Sequence, residues 1–253
     1  MLLSAVFFDV DGTIAETEEL HRRSFNESFK EFNLDWFWDK PIYKELINIG
    51  GGKERIEHYM KRAWPQMLEY KNLTKYIDSI HKVKNEIYED YINESNLEFR
   101  PGVLRLIKEL KKNNIRIALV SSSSEINVNN LLNKGLKIKP KDYFDIIAHG
   151  DRTKNKKPSP EIYEWTLEKL KLSSQSCIAI EDSPRGLESA LAANIKVIVT
   201  PSDLTQDEKF EGADLIVSSL GELGKPCKVI RAGLKTSGFI DLKLLTKLIN
   251  SQI

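Results

Sequence analysis

Cysteine is scarce in this chain: two in 253 residues, Cys177 and Cys227. That is too few for a disulfide framework, and the two are too isolated for a thiolate metal site. A reducing compartment is expected, the cytoplasm, or a plastid stroma if a transit peptide has been removed. An excess of charge of one sign is missing as well. Lys and Arg number 38 against 37 Asp and Glu, so no global field draws the chain to nucleic acid or to an anionic membrane. Neither is expected as a partner, and a monomer is expected. Long hydrophobic runs are absent too. The N-terminal run stops at Asp9, far short of the ~20 residues that span a bilayer. It also lacks the basic start and small-residue cleavage site of a signal peptide.

What is present is an ordinary globular composition, 41% hydrophobic and 30% charged, long enough for a core with a smaller partner domain. Leu3 to Phe8 reads as a buried strand ending at Asp9. Similar short apolar runs follow at Ile115 to Val120, Cys177 to Ile180 and Ile195 to Val199. Phe144 to Ala148 and Asp214 to Val217 are expected as edge strands. Between these runs lie helical repeats such as Val103, Leu106, Ile107 and Leu110. Apolar strands alternating with helices predict an α/β fold, a Rossmann-like parallel-sheet core covered on both sides.

Residues 16–96 break the alternation and carry helical faces only. These are Leu20, Phe25, Phe29 and Phe32; Ile56, Tyr59, Met60 and Ala63; and Tyr76, Ile77, Ile80, Val83 and Ile87. An inserted helical cap domain is expected there, with the core made of residues 1–15 and 97–253. Arg100-Pro101-Gly102 marks re-entry into the core. Leu242, Leu245, Leu248 and Ile249 outline a last helix.

In open parallel sheets ligands sit beyond the carboxyl ends of the strands, and four polar clusters fall at such places. They are Asp9-Val10-Asp11-Gly12-Thr13, Ser121 to Ser124, Lys157-Pro158-Ser159-Pro160, and Glu181-Asp182-Ser183. A carboxylate can attack phosphorus and split one hard hydrolysis into two easier steps. A second carboxyl two residues on points the same way along an extended chain and can protonate the leaving oxygen, then deprotonate water. Carboxylates crowded against a phosphate need a cation, and Mg²⁺ suits an all-oxygen site. A hydroxyl and a lysine can hold the non-bridging oxygens.

Taken together and in order, these clusters resemble the four motifs of the haloacid-dehalogenase-like phosphotransferases. The resemblance implies Asp9 as nucleophile and Asp11 as general acid and base. It implies Ser121, Ser122 and Lys157 as phosphate ligands, and Asp9, Asp11, Glu181 and Asp182 as the Mg²⁺ site. Within the insert, Ala15-Glu16-Thr17-Glu18-Glu19-Leu20-His21-Arg22, the stretch Trp36 to Tyr43, and Gly51-Gly52-Lys53-Glu54-Arg55-Ile56 resemble the CbbY branch. That branch acts on xylulose 1,5-bisphosphate, a small phosphorylated sugar linked to the Calvin cycle. The resemblance implies Glu18, Tyr43, Gly51, Gly52, Lys53 and Arg55 as substrate contacts in the cap. A sugar-phosphate phosphatase is therefore expected. A β-phosphoglucomutase-like transferase of the same fold and a catalytically silent sugar-phosphate sensor are the alternatives.

Plainer readings stand beside these. Asp9-Val10-Asp11-Gly12 fails as an EF-hand, because Ile14 and Leu20 occupy the positions that need Gly and Glu. Glu181-Asp182-Ser183 taken alone is also a good strand end and helix cap. Trp36 and Trp38 read as cap core, and His21 as structural or hinge-supporting.

Overall fold

The computed structural model describes residues 2–69, 71–232 and 236–251. The chain divides into a helical unit, Thr17–Asn96, and a second unit made of Met1–Glu16 and Leu97–Ile253. Glu16 falls with the second unit, not with the helices, and its carboxylate pairs with Arg100 Nε at 2.9 Å.

The helical unit contains α1 (Glu18–Glu31), α2 (Lys40–Leu46), α3 (Gly52–Ala63) and α4 (Leu73–Glu94). Phe25 and Phe29, four apart on α1, bury against Trp36, Trp38 and Tyr43 with ring centroids 4.7–6.3 Å apart. Asn26 locks this aromatic core, accepting from Trp38 N at 2.7 Å and donating to Trp38 O at 2.9 Å. Helix α2 starts on Asp39, whose side chain accepts from Ile42 N at 2.8 Å. The buried stripe of α4 is Ile77, Ile80, Lys84, Tyr88 and Ile92. It therefore departs from the expected face after Ile80, running through a lysine instead of Val83 and Ile87. Lys84 is tolerated because its Nζ meets His21 Nδ1 at 2.6 Å and lies 4.6 Å from the centre of the Tyr88 ring. His21 is buried and stacked on Tyr88.

The second unit carries a seven-stranded sheet in the order β3-β2-β1-β4-β5-β6-β7. Its strands are β1 (Ala5–Phe8), β2 (Arg116–Val120), β3 (Ile146–Ala148), β4 (Cys177–Glu181), β5 (Lys196–Val199), β6 (Leu215–Val217) and β7 (Val229–Ala232). The first six run parallel; β7 pairs antiparallel with β6. The sequence reading expected β6 at an edge and did not see β7. That strand offers Val229 and Ile230 to solvent.

Side chains alternate across the sheet. Ala5, Phe7, Ala118, Val120, Cys177, Ala179, Val197 and Val199 share one core cluster with Ile162 and Tyr163 of α7 (Glu161–Leu170) and with Leu187 and Ala190 of α8 (Pro184–Ala192). The intervening residues, Val6, Phe8, Ile117, Leu119, Ile178 and Ile180, are as fully buried. Helices α5 (Val103–Lys112), packed on β2, and α9 (Leu242–Asn250), packed on β4, also pack on each other. Short helix α6 (Glu125–Asn130) follows β2. Strand β1 is central, flanked by β2 and β4, so the crevice beyond its carboxyl end is where polar loops converge.

Candidate active site

The loop after β1 is built to place two carboxylates. Asp9 N donates to Ile180 O of β4 at 3.0 Å, which holds the residue in the sheet at its very end. The chain then turns tightly: Gly12 N bonds Ala15 O at 2.8 Å and Ile14 N bonds Val10 O at 2.9 Å. Gly12 has φ +86°, and a Cβ there would strike the Asp182 carboxylate, so only glycine fits. Asp182 directly follows the neighbouring strand β4 and precedes Ser183, the N-cap of α8, whose side chain accepts from Gly186 N at 3.3 Å. The plain reading of that stretch as a helix cap and the chemical reading thus both hold, on adjacent residues.

Lys157 connects the clusters. Its ammonium, 5% exposed, donates to Asp9 Oδ1 at 2.8 Å, Val120 O at 2.8 Å and Glu181 Oε1 at 2.6 Å. Three donors meet three acceptors, one from the end of each central strand. Burial works against the charge of Lys157, but Asp9 and Glu181 together outweigh it and hold the ammonium above its ordinary value. For Asp9 burial dominates; Lys157 opposes it, Glu181 adds to it, and the carboxyl is pushed up to about 7. Burial, then the charge of Asp9, raises Asp182 well above the usual carboxylate range.

Carboxylate oxygens of Asp9, Glu181 and Asp182 lie within 4.8 Å of one another, all buried. A divalent cation fits this arrangement. Buried acids whose charge is disfavoured by burial and by one another gain from a positive ion, and the donors are all oxygens, as Mg²⁺ prefers. Glu181 sits differently from the other two. Its Oε1 accepts from both Lys157 and the Tyr163 hydroxyl, and its carboxylate lies against the Cα of Gly186.

The serine loop after β2 meets Asp11 through a residue not singled out from the sequence: Ser123 Oγ donates to Asp11 Oδ2 at 2.6 Å. Ser121 is buried, its N bonded to Ala148 O at 2.8 Å and its Oγ accepting from Ser123 N at 3.0 Å. Ser122 Oγ is buried with no hydrogen-bond partner among the described residues. Tyr163 was also missed; its one signal is a position six residues after Lys157, on the first turn of the next helix.

Within the helical unit, three of the six expected contacts come together. Tyr43 Oη donates to Glu18 Oε2 at 2.7 Å, and Arg55 Nη1 donates to Tyr43 Oη at 3.0 Å. Arg55 Nη1 also lies 3.8 Å from Glu18 Oε2, and its Nε bonds Ile49 O at 3.0 Å. Tyr43 is fully buried among the aromatic side chains of the helical unit, and its hydroxyl donates to Glu18. Lys53 stands apart, with its Nζ 2.5 Å from Asp78 Oδ1 of α4. Gly51 is the N-cap of α3 at φ +97°, and Gly52 lies against the His81 ring.

Comparison with known proteins fits this geometry. Residues 6–200 match the family model described as haloacid dehalogenase-like hydrolase. Protein CbbY of Cereibacter sphaeroides is 41% identical over 225 residues, covering 88% of this chain and 95% of that protein. A CBBY-like protein of Arabidopsis thaliana is 38% identical, covering 87% of this chain and 70% of its own length. Among solved structures, a mutant CbbY from Rhodobacter sphaeroides in complex with xylulose-(1,5)bisphosphate superposes with a TM-score of 0.79 at 39% identity. It covers 88% of this chain and 98% of its own.

Proposed function

Because the chain belongs to the haloacid dehalogenase-like hydrolases, we propose that it is a Mg²⁺-dependent sugar-phosphate phosphatase that works through a phosphoaspartyl intermediate on Asp9, with xylulose 1,5-bisphosphate as substrate. The observation that carries the reading is Asp9 at the end of the central strand, 2.8 Å from a buried lysine, with Asp11 two residues on.

In the first step an Asp9 carboxylate oxygen attacks phosphorus, the bond from phosphorus to the sugar oxygen breaks, and Asp11 gives its proton to that oxygen. In the second, Asp11 takes a proton from water, the hydroxide oxygen attacks the same phosphorus, and the Asp9 carboxylate leaves. Ser121 holds a non-bridging oxygen, and Lys157, exchanging one of its three present acceptors for a phosphate oxygen, holds another and offsets the charge they carry. The residues that would hold Mg²⁺ are Asp9, the main-chain carbonyl of Asp11, and Asp182. When bound, the ion offsets repulsion between the carboxylates and the phosphate. Glu181 holds Lys157 in place through Oε1, which Lys157 and Tyr163 share, and it stays grouped with Asp9 and Asp182 beside the ion, its Oε2 without a hydrogen-bond partner among the described residues.

The substrate assignment rests on likeness to CbbY and on the second cluster of polar groups. Glu18, Tyr43 and Arg55 are held together, beside a glycine-rich helix start at Gly51-Gly52-Lys53. A bisphosphate needs such a second recognition point for the phosphate that is not cleaved. The test is a phosphate-release screen over phosphorylated sugars with Mg²⁺ and with chelator. Xylulose 1,5-bisphosphate should give the highest kcat/KM, and chelator should stop release. Equal rates on unrelated monophosphates would defeat the substrate assignment, and full activity in chelator would defeat the metal.

A further inference from the structure

Arg100 lies just past the point where the chain re-enters the second unit, and nothing in the chemistry described above uses it. Its guanidinium is nevertheless one of the most fully engaged groups in the molecule. Nε pairs with Glu16 Oε1 at 2.9 Å. Nη1 donates to Gly12 O and to Thr200 O, the latter at 2.8 Å, and Nη2 donates to Pro201 O at 2.7 Å. The main-chain N of the same residue bonds Ile14 O at 2.8 Å. The side chain is 11% exposed. One residue thus ties the turn after β1, at Gly12, Ile14 and Glu16, to the loop that follows β5.

Both tied segments enclose Asp182. The Cα of Gly12 packs on its carboxylate, with the Ser202 Cβ 3.0 Å from where a Gly12 Cβ would stand, and the Ser202 side chain hydrogen-bonds that carboxylate. Thr205 Oγ1 donates to Asp182 O at 2.6 Å, and to complete the loop Ser202 N donates to Thr205 Oγ1 at 2.9 Å.

We infer that Arg100 is a positioning residue for divalent-cation binding: its fork fixes the Gly12 turn and the 200–205 loop as the two walls of the Asp182 slot and sets the carboxylate where it meets the ion. This deepens the metal reading above and rests on it. A planar fork is required, because four carbonyl and carboxylate acceptors lie around one side chain in fixed directions. An ammonium at the same place supplies the charge without that geometry.

The experiment measures metal binding without turnover. Free Mn²⁺ is followed by electron paramagnetic resonance as it is titrated with wild type, Arg100→Lys and Arg100→Ala. Melting temperatures are recorded with and without the ion. Mn²⁺ affinity is expected to fall at least tenfold in Arg100→Lys. The same variant should need more metal for half-maximal activity, with KM for the sugar phosphate unchanged once metal saturates and kcat recovering to within about threefold. Should Arg100→Ala fail to fold, Arg100→Lys carries the test alone. Mn²⁺ affinity equal to wild type in a folded Arg100→Lys overturns the inference, whatever happens to its melting temperature, since that pattern marks a structural tie only. A wild type that binds no Mn²⁺ removes the metal reading itself.

Discussion

Ser123 donates its hydroxyl to Asp11 Oδ2 at 2.6 Å, joining the loop after β2 to the proposed acid and base after β1. A hydrogen bond to a carboxylate of this kind contributes about 1.5–3 kcal/mol. It also selects one orientation of Asp11 from several. Ser123→Ala is expected to lower kcat roughly tenfold, with a smaller change in KM, because the proton must be delivered along a fixed direction. Steady-state kinetics with the substrate from the phosphate screen decide it. Unchanged kcat would show that Asp11 finds its working position without Ser123.

Asp9→Asn is expected to reduce phosphate release by more than about a hundredfold, ~3 kcal/mol of barrier, because an amide is no nucleophile. Its effect on stability runs the other way. The Asp9 carboxyl is raised from 3.8 to about 7 by burial, so between those values the folded protein binds more protons than the unfolded one. Stability then falls as pH rises through that window. In chelator, Asp9→Asn should be more stable than wild type at pH 8, and the gap should close toward pH 5. Thermal melts at both values test the sign. A gap that widens on acidification contradicts the buried-carboxylate account.

Removing the cation that both acids share is expected to cost much more than removing one acid's charge. Lys157→Met leaves Asp9 and Glu181 buried without their ammonium, for which about 3–5 kcal/mol is typical. Glu181→Gln keeps an oxygen for Lys157 and Tyr163, and Asp9 still pairs with the lysine, so its loss should be less than half as large. Urea unfolding at pH 8 orders the two. Equal losses would mean that Glu181, not Asp9, is what Lys157 neutralises.

The helical unit is expected to set specificity. Arg55→Ala breaks the Glu18–Tyr43–Arg55 cluster, and Lys53→Ala removes a cation now paired with Asp78. Each should lower kcat/KM for xylulose 1,5-bisphosphate at least tenfold, roughly 1.4 kcal/mol, while p-nitrophenyl phosphate hydrolysis changes far less. Equal losses on both substrates would indicate a damaged helical unit instead of a lost phosphate contact.

The central strands were legible in the sequence because β1, β2, β4 and β5 are buried on both faces and read as unbroken apolar runs. β7 was not, since an edge strand with exposed Val229 and Ile230 has no such signature. The four polar clusters were legible as clusters, but not residue by residue. Four serines in a row are equivalent on paper, and only the turn after β2 decides that Ser123, not Ser122, reaches Asp11. Glu181 and Asp182 are adjacent carboxylates that the resemblance implied at the ion, and their carboxylates do lie together, but the sequence hides how different their surroundings are. Strand alternation separates them: Glu181 shares a face with Cys177 and Ala179 and points to Tyr163, while Asp182 has already left the strand. Lys84 was hidden for the opposite reason, a charged residue on a stripe where only apolar ones were sought.

The central place of β1 has a consequence for how the chain reaches its native state. Ala5 pairs with Arg116 on one side and with Cys177 on the other, so β1, the earliest of the seven strands, waits through about 170 residues for its second neighbour. The helical unit, contiguous from 17 to 96, has its own aromatic core and needs no such wait. Local contacts close quickly, and distant strand pairings bear the entropy of long loops. Order of assembly is thus reversed from order of emergence. The insert condenses early, while the strand that carries Asp9 has no neighbour until β2 emerges and only one until β4 arrives, which makes it the stretch most exposed to aggregation or chaperone capture.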